Sequence, residues 1–401
     1  MTTTRVVDIE AAHVLQTYKR LPIVLSRGRG IHLYDEAGQD YIDLVSGIGV
    51  ASLGHAHAGL AAAIADQAAT LLHTSNLYFH SLQGRLAERL AALSGLPRAF
   101  FCNSGSEAVE ACLKFARRYW HTQGDVARTE IVALERSFHG RTFGALSATW
   151  AEHYRTPFQP LVPGIRFVPP DAGAIAAAVS SVTQAIIVEP LQGEGGVHPL
   201  AADTATAIGD ACAKTGALLI ADEVQCGLGR TGRPFYYQAL ELQPDLVSVG
   251  KALGGGVPVG AALVGERVAA AVAYGDHGST YGGNLLACRA ALVFLEELID
   301  RDLIGHVRAV GAFAASRLRT LADRHPTIVD VRGEGVIWGL EVDGDAAAIV
   351  EAALGRHLLV NRTAGNVIRL LPPLTITEAE LGAALDTLEA AFADVAAGSA
   401  S

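Results

Sequence analysis

The chain has 401 residues, of which 50% are hydrophobic and only 18% are charged, and its formal net charge is -10. This composition is typical of a compact globular protein, and the length is enough for a large domain with a smaller one attached. The acidic balance argues against a nucleic-acid partner, and five cysteines without a C-x-x-C pair argue against a disulfide framework or a zinc site.

Three regions follow one another along the chain. Residues 20–45 alternate like short strands around the turn DEAGQD. Between about residues 95 and 270, β-branched runs alternate with Ala-rich stretches: AFFCN, EIVALE, IRFVPP, QAIIVEP, LLIADEV, DLVSVG and AALVG. Residues 328–400 contain two further strands, VIWGLEV and NVIRLLPP, and an amphipathic helix from about Glu378.

Continuous apolar strands that alternate with helices predict an α/β fold with a mainly parallel sheet covered on both faces. We assign this large domain to residues 49–285. The segments 1–48 and 286–401 are expected to come together in a smaller α/β domain. The first residues lack the apolar core of a signal peptide, so we expect a cytoplasmic protein with no membrane partner.

Unusual residues follow four of the predicted strands. NSGSE follows AFFCN, SFHGRT follows EIVALE, QGEGG follows QAIIVEP, and Lys251 follows DLVSVG. Ligands of such sheets bind beyond the carboxyl ends of the strands. The sequence therefore predicts one site where these four loops meet.

The segment NSGSEAVEACLKFARRYW has the signature of a helix N-terminus. Ser104 and Glu107 form a capping box, and apolar residues then recur at helical spacing. The free N–H groups and the dipole of a helix that begins near Gly105 would suit a phosphate group. The alternative is an ordinary helix cap that binds no ligand.

Lys251 is the only charged residue between Leu246 and Gly265. Burying a lone charge is costly unless it is paired, neutralised or chemically used. The strand LLIADEV ends in two acids, Asp222 and Glu223, which could belong to a solvent-facing turn. A lysine and an acid at one sheet edge are also what pyridoxal phosphate requires, since the lysine binds its aldehyde and the acid keeps its ring nitrogen protonated.

Two other motifs resemble binding sites but are interpreted as parts of the fold. GLGRTG at residues 227–232 matches the dinucleotide fingerprint G-x-G-x-x-G, but Pro234 interrupts the residues after it and no acid ends a second strand about twenty residues later. His55 and His57 lack further Cys or His partners, so we expect a polar loop and no metal site. A nicotinamide-dependent oxidoreductase and a non-catalytic binding protein remain as alternatives.

Seven segments in this order and spacing resemble the class III pyridoxal-phosphate aminotransferases of fold type I. The resemblance runs from about Lys19 to the last helix and rests on NSGSEAVEACLKFAR, SFHGRT, IIVEPLQGEGGV, LLIADEVQCGLGRTG, SVGKALGGGVPVGA, GSTYGGN and VRGEGVIWGLEV. HTSNLYF and VNRTAGNVIRLLPPLTIT are most similar to members that act on N-acetylornithine. The alternatives within the class are members that act on succinylornithine, ornithine, 4-aminobutyrate or a carrier-linked lysine.

The resemblance implies pyridoxal 5'-phosphate as cofactor and a homodimer with shared active sites. Lys251 matches the Schiff-base lysine and Asp222 the partner of the ring nitrogen, which makes both of them catalytic. The other implied cofactor contacts are Gln225 near the ring hydroxyl, Val224 and Phe138 on the two ring faces, Gly105 and Ser106 at the phosphate, and Thr280 reaching that phosphate from the neighbouring subunit.

The resemblance also implies two arginines that bind substrate carboxylates. Acetylornithine reacts at an amine far from its carboxylate, whereas glutamate reacts at the carbon that bears its carboxylate. Arg141 matches the distant arginine, Arg369 the near one, and Glu194 the acid that masks Arg369 while the first substrate is bound. Ser279 is a further expected substrate contact. The alternative is that Arg369 and Glu194 form a purely structural ion pair.

Overall fold

The computed structural model describes residues 3–398. Its strands are β1 (Leu25–Arg29), β2 (His32–Asp35), β3 (Asp40–Asp43), β4 (Arg98–Cys102), β5 (Glu130–Leu134), β6 (Ile165–Val168), β7 (Thr183–Val188), β8 (Leu191–Gln192), β9 (His198–Pro199), β10 (Leu218–Asp222), β11 (Leu246–Val249), β12 (Gly260–Val264), β13 (Ile328–Glu334), β14 (Ile337–Val342), β15 (Leu358–Leu359), β16 (Asn361–Thr363) and β17 (Val367–Leu370).

The helices surround these strands. They are α1 (Thr3–His13), α2 (Ser46–Gly49), α3 (Ala58–Thr70), α4 (Gln83–Ser94), α5 (Gly105–Thr122), α6 (Phe143–Ser147), α7 (Glu152–Arg155), α8 (Ala172–Ala178), α9 (Ala202–Thr215), α10 (Glu266–Ala269), α11 (Leu285–Leu295), α12 (Leu303–Arg324), α13 (Ala346–Gly355) and α14 (Glu378–Gly398). Short 3-10 turns lie at Thr156–Phe158, Tyr236–Gln238 and Lys251–Gly254, and a π turn lies at Glu296–Asp300. Within the described residues, no helix combines the length and apolar character needed to cross a bilayer.

The central sheet has seven strands in the order β4-β12-β11-β10-β7-β5-β6. All neighbouring strands are parallel except β12, which runs antiparallel to both β4 and β11. Successive side chains enter two separate apolar clusters; Ile186 and Leu219 lie in one, and Ile187 and Leu218 in the other. Both faces are therefore covered, which explains the unbroken apolar strands and confirms the predicted mainly parallel sheet.

The two ends of the chain meet in the structure. Strands β1, β2 and β3 form a sheet with β15, which pairs in parallel with β3. A second sheet has the order β13-β14-β17-β16, and α12, α13 and α14 pack beside these strands. On this basis we propose that segments 1–48 and 286–401 form one small domain against 49–285. The outermost residues, 1–2 and 399–401, lie outside the described residues.

The glycine turn at residues 227–232 does not open an α-helix. It is followed by the short 3-10 turn Tyr236–Gln238. The Arg230 side chain is buried inside it and donates to the backbone carbonyls of Val336 and Pro372. The geometry of a dinucleotide-binding turn is therefore missing here.

Glu223, the second acid after β10, is buried in the fold. Its carboxylate accepts a hydrogen bond from the Tyr237 backbone N–H at 2.7 Å and one from the Cys226 thiol at 3.2 Å. Burial raises the pKa of Glu223 to about 7. The expectation that this acid could belong to a solvent-facing turn is wrong, because its side chain points under the 3-10 turn that comes next in the chain.

Replacing Glu223 with glutamine is expected to change how the free energy of unfolding depends on pH. The raised pKa means that the folded chain binds the carboxyl proton more tightly than the unfolded chain does. This group therefore lowers the free energy of unfolding as the pH rises from 4.5, its ordinary pKa, to about 7. For a difference of one bound proton, the free energy of unfolding changes by at most about 1.4 kcal/mol per pH unit.

The measurement is urea unfolding of both proteins at several pH values between about 5 and about 8. The stability of Glu223→Gln relative to the wild type should rise across this range. Glu351→Gln, at an exposed position of α13, is the control and should follow the wild type. A stability difference between Glu223→Gln and the wild type that stays constant with pH would contradict this account.

Candidate active site

A cavity of about 190 Å³ lies at the carboxyl ends of the central strands. Its walls come from the loops after β4, β5, β7, β10 and β11, so the predicted convergence of loops is confirmed. The lining residues are Ser104, Gly105, Ser106, Phe138, His139, Gly140, Glu189, Glu194, Asp222, Val224, Gln225 and Lys251.

Helix α5 begins at this cavity. The Ser104 hydroxyl accepts a hydrogen bond from the Glu107 N–H, and the Glu107 carboxylate accepts one from the Asn103 N–H at 2.8 Å. The predicted capping box is therefore present, except that the Glu107 carboxylate accepts from the N–H of Asn103 and not from that of Ser104, the residue that caps the helix. A Cβ added to Gly105 would lie 2.5 Å from Val224 Cγ1. The turn thus requires a glycine and presents helix N–H groups that have no intrahelical acceptor.

Lys251 occupies a strained position on the cavity wall. Its φ is 40°, in the left-handed region that non-glycine residues rarely adopt. Within residues 3–398 its amine forms no ion pair. Burial lowers the pKa of Lys251, and the nearby Arg369 charge acts in the same direction. The charges of Glu194 and Asp222 act to raise the pKa, but the pKa remains below its ordinary value. The side chain therefore gives up its proton more easily than an ordinary lysine.

The Asp222 carboxylate is buried and held by three donors. Its Oδ1 accepts hydrogen bonds from the Ser248 hydroxyl at 2.9 Å and from the Val224 N–H at 3.1 Å. Its Oδ2 lies 2.7 Å from Nδ1 of His139. The other ring nitrogen of His139, Nε2, is buried and has no hydrogen-bond partner. Asp222 is thus fixed in one orientation at the cavity floor.

Arg369, on β17, contacts two residues of the cavity wall. Its side chain is only 1% exposed, and its Nη1 donates to Glu194 Oε1 at 2.7 Å and to Gln225 Oε1 at 3.2 Å. Burial acts to raise the pKa of Glu194, but the charges of Arg369 and Lys251 and the hydrogen bonds from Arg369 and Gln225 together outweigh it, so the pKa is lowered. The ionised Glu194 carboxylate therefore covers Arg369.

Glu189 joins two of the loops. Its carboxylate accepts hydrogen bonds from the Phe138 N–H at 2.7 Å and from the Gly193 N–H at 3.2 Å. Burial raises the pKa of Glu189 to about 7. The side chain thereby fixes the distance between Phe138 and the loop that carries Glu194.

Arg141 lies outside the inner cavity. Its backbone N–H donates to the Ser106 hydroxyl at 3.2 Å, and its guanidinium carbon lies 3.6 Å from the centre of the Tyr154 ring. The ring holds the cation in place while leaving its N–H groups exposed. Arg141 is therefore available to an anion that approaches from solvent.

Ser279 and Thr280 do not line the cavity of their own chain. The Ser279 hydroxyl accepts hydrogen bonds from the Gly282 N–H at 3.0 Å and from Asn103 Nδ2 at 3.3 Å. Thr280 is exposed. The structure thus gathers Glu194 and the predicted cofactor-binding residues other than Thr280 in one cavity wall, whereas Arg141, Ser279 and Thr280 lie outside that cavity.

Four residues of the site escaped the sequence analysis: His139, Glu189, Ser248 and Tyr154. His139, Glu189 and Ser248 lie inside the quoted motifs SFHGRT, IIVEPLQGEGGV and SVGKALGGGVPVGA, so their presence was visible but their contacts were not. Ser248 faces Asp222 through the register of β10 with β11, which only the folded sheet defines. Nothing in the sequence singles out Tyr154.

The residues present fit a phosphorylated pyridine aldehyde. An unpaired lysine, a fixed carboxylate and a glycine at a helix N-terminus line one cavity, together with the unpartnered buried Nε2 of His139. They match the aldehyde, ring nitrogen and phosphate of such a group. The assignment of individual residues to these contacts remains a prediction.

Comparison with known proteins identifies the family. The sequence profile described as "Aminotransferase class-III" matches residues 14–392. Acetylornithine aminotransferase of Methanocaldococcus jannaschii is 44% identical over 393 residues, which cover 97% of this chain and 98% of that protein. The acetylornithine aminotransferase of Methanothermobacter thermautotrophicus is 43% identical over 396 residues, or 98% of this chain and 100% of that protein.

Solved structures give the same result. The ornithine aminotransferase of Toxoplasma gondii ME49 superposes with a TM-score of 0.95 at 32% identity and covers 99% of this chain and 96% of its own. Acetylornithine aminotransferase of Elizabethkingia anophelis has a TM-score of 0.87 at 30% identity, with coverages of 98% and 100%. The chain belongs to the class III aminotransferases, which are fold type I enzymes that depend on pyridoxal phosphate.

Proposed function

We propose that this enzyme moves the terminal amino group of N-acetylornithine to 2-oxoglutarate, which gives N-acetylglutamate semialdehyde and glutamate, a step of arginine biosynthesis. The curated relatives named acetylornithine aminotransferase, about 43% identical over nearly the whole chain, support this substrate. The substrates of an aminotransferase are small molecules. No nucleic-acid or membrane partner is part of the proposal.

The observation that carries the proposal is the arrangement of the two arginines. Arg369 lies behind the wall of the inner cavity, covered by the Glu194 carboxylate, whereas Arg141 is open to solvent on the Tyr154 ring. A substrate whose carboxylate is far from its reacting amine needs only Arg141. A substrate whose carboxylate is next to the reacting carbon needs Arg369 uncovered. One site can therefore accept both substrates if Glu194 moves aside for the second.

Lys251 has the properties of the proton carrier. Its lowered pKa makes the amine easier to deprotonate than that of an ordinary lysine, and an amine without its proton can remove the proton from the substrate carbon that bears the amino group. Pyridoxal phosphate, when bound, supplies an electron sink for the charge left on that carbon. The Asp222 carboxylate would stabilise a proton on the ring nitrogen of the bound cofactor, and the contacts with His139 and Ser248 hold the carboxylate in one orientation.

Other amines remain as a second candidate. The structural neighbours include ornithine aminotransferase, and the same inner cavity would serve succinylornithine, ornithine, 4-aminobutyrate or a carrier-linked lysine. A free ornithine carries an additional α-ammonium group that would lie close to Arg141 and be repelled by it. Turnover with a panel of these amines would distinguish the candidates.

Separate removal of the two arginines tests the proposal. A hydrogen-bonded charge pair contributes roughly 1.5 to 3 kcal/mol, or about 10- to 150-fold in binding. Arg141→Ala should raise the KM for acetylornithine by about this factor and also weaken 2-oxoglutarate, whose distal carboxylate reaches the same arginine. Arg369→Ala should leave the acetylornithine half-reaction nearly intact and slow the 2-oxoglutarate half-reaction.

Single-turnover spectroscopy of each half-reaction provides the measurement. Asn361→Ala removes only two long contacts, at 3.5 Å from Arg369 Nε and at 3.4 Å to the Arg362 carbonyl, so it is a matched control and should affect both halves little. Equal slowing of both halves by Arg369→Ala would mean that Arg369 and Glu194 form a structural pair and that the masking account is wrong.

We also propose that two chains form a homodimer in which Thr280 reaches the neighbouring cavity. Thr280 is exposed, and the side chains of Leu77, Tyr78 and Phe79 next to this segment are 84%, 69% and 106% exposed. Asn76 ties the two segments together by donating to the carbonyls of Ser279 and Gly282. An apolar surface of this kind, continuous with site residues, supports burial against a second copy.

Mixing two inactive variants tests the shared site. Lys251→Ala removes the lysine of its own chain, and Thr280→Asp places a carboxylate where the cofactor phosphate of the partner would lie. If Thr280 acts across the interface, a mixed dimer has one intact site. Random one-to-one mixing should then restore about a quarter of the wild-type activity. No recovery in a mixture whose dimers exchange, or a monomer by light scattering, would refute the proposal.

The proposed compartment is the cytoplasm. All five cysteines are free, and four of them are buried. Burial raises the pKa of Cys102, Cys212 and Cys288 to about 12, so these thiols stay protonated and react slowly. A reducing environment with no disulfides agrees with this pattern.

A further inference from the structure

Residues 271–280 form a segment without regular secondary structure, here called the strap, that runs beside α5. Three side chains of α5 donate hydrogen bonds to it: Thr122 to the Ala271 carbonyl at 3.1 Å, Arg118 Nε to Asp276 Oδ2 at 2.7 Å, and Lys114 Nζ to His277 Nδ1 at 2.8 Å. The strap is therefore attached to α5 along about two turns of the helix.

The three donors form one row on the helix. Lys114, Arg118 and Thr122 are four residues apart, and side chains with this spacing lie on the same face of an α-helix. Their partners follow in the reverse order along the chain, so the strap runs from the C-terminus of α5 towards its N-terminus. At that end Asn103 Nδ2 donates to the Ser279 hydroxyl at 3.3 Å. The last residues of the strap thus lie at the end of the helix that begins beside the cavity.

The imidazole of His277 is held in one orientation. Its ring centre lies 4.7 Å from that of Phe100 on β4 and 5.7 Å from that of Phe115 on α5. A lysine ammonium group only donates, so Nδ1 of His277 must be unprotonated to accept from Lys114. Burial lowers the pKa of His277, and the charge of Lys114 acts in the same direction. The ring therefore stays neutral more readily than an ordinary histidine and keeps this hydrogen bond.

The carboxylate of Asp276 holds the strap in two directions. Its Oδ2 accepts hydrogen bonds from the Ala273 N–H at 2.7 Å, within the strap, and from Arg118 Nε at 2.7 Å, on the helix. The hydrogen bonds from Ala273 and Arg118 lower the pKa of Asp276, so this carboxylate is ionised at neutral pH. The turn of the strap and its attachment to α5 therefore depend on the same charged group.

Helix α5 serves two cofactor sites in the proposed homodimer. Its N-terminus, at Gly105 and Ser106, forms part of the cavity wall in its own chain. Thr280, at the end of the strap, is exposed and is proposed to reach the phosphate in the neighbouring chain. A hydroxyl hydrogen bond requires a donor–acceptor distance of about 2.5 to 3.0 Å. A small shift of the strap along α5 would therefore break this contact and leave the cavity of its own chain unchanged.

We propose that Lys114, Arg118, Asp276 and His277 are positioning residues that act across the dimer. They hold Thr280 where it can donate to the cofactor phosphate of the neighbouring chain, and so they set the cofactor affinity of that chain and not of their own. The cavity of their own chain is lined by other residues. The inference rests on the proposed function, which includes a homodimer with Thr280 shared between chains.

Mixed dimers with one altered chain test the inference. Arg118→Gln removes the charge that pairs with Asp276, and His277→Phe keeps an aromatic ring but cannot accept from Lys114. Mixed dimers of this double variant, the strap variant, with the wild type are isolated through two different affinity tags. The holoenzyme is dialysed against a series of pyridoxal phosphate concentrations, and borohydride then fixes the cofactor to the chain that holds it. The mass of each intact chain gives the occupancy of each cavity.

The wild-type chain of the mixed dimer should bind the cofactor more weakly, because its cavity receives Thr280 from the altered strap. Loss of one charge-assisted hydrogen bond corresponds to a dissociation constant that is about 10- to 150-fold higher. The altered chain receives Thr280 from an intact strap and should bind as tightly as in the wild-type dimer. A purely structural role would weaken the altered chain itself. Asp276→Asn, a milder change, should weaken the wild-type chain in the same direction.

Arg117→Gln is the control, because it removes the same charge from an exposed position of α5 outside the row of donors. Neither chain of its mixed dimer should change. Weaker binding in the altered chain of the strap variant, equal weakening in both chains, or no change in either chain would each overturn the inference.

Thr280→Ala in the same design separates the inference from the shared site on which it rests. It should weaken the wild-type chain alone. If Thr280→Ala does so and the strap variant does not, Thr280 crosses the interface without help from the strap, and only the inference is wrong. If Thr280→Ala leaves the wild-type chain unchanged, the proposed shared site is wrong and the inference falls with it. Turnover of acetylornithine enters neither comparison, so the substrate assignment is tested separately.

Discussion

The buried Asp222 carboxylate is the point at which the active site is assembled. It ends β10, accepts a hydrogen bond from Ser248 on β11, and contacts His139 in the loop after β5. A buried charge is tolerated only when it is fully hydrogen-bonded, so these elements must close together around it. Lys251 stands two residues after the end of β11, and its distance from Asp222 is therefore set by the same pairing of strands.

The elements that the sequence predicted well are those that depend on local pattern. Apolar runs gave the central strands, the Ser104 and Glu107 pair gave the start of α5, and the common direction of the strands implied that their loops would meet. What could not be predicted depends on register and side-chain direction. Ser248 beside Asp222, the Tyr154 ring under Arg141 and the burial of Glu223 follow from tertiary packing, which leaves no periodic signal in the chain.

The site is built by two parts of the chain that fold as different sheets. The central sheet supplies Lys251, Asp222 and the Glu194 loop, whereas Arg369 enters from β17 of a smaller sheet. Thr363 and Arg332, from strands of that smaller sheet, donate to the carbonyls of Glu194 and Gly196. The loop that covers Arg369 is therefore held by the sheet that carries Arg369, which couples any movement of Glu194 to the packing between the two sheets.

The pairing of β3 with β15 has a consequence for synthesis. Gln39 and His357 touch at 3.1 Å although they are 318 residues apart in the chain. While the chain is being made, one edge of the N-terminal strands stays open until β15 emerges, whereas the strands of the central sheet can already pair. Open strand edges are sites of aggregation, so this edge of the nascent enzyme is exposed to such pairing until β15 is made.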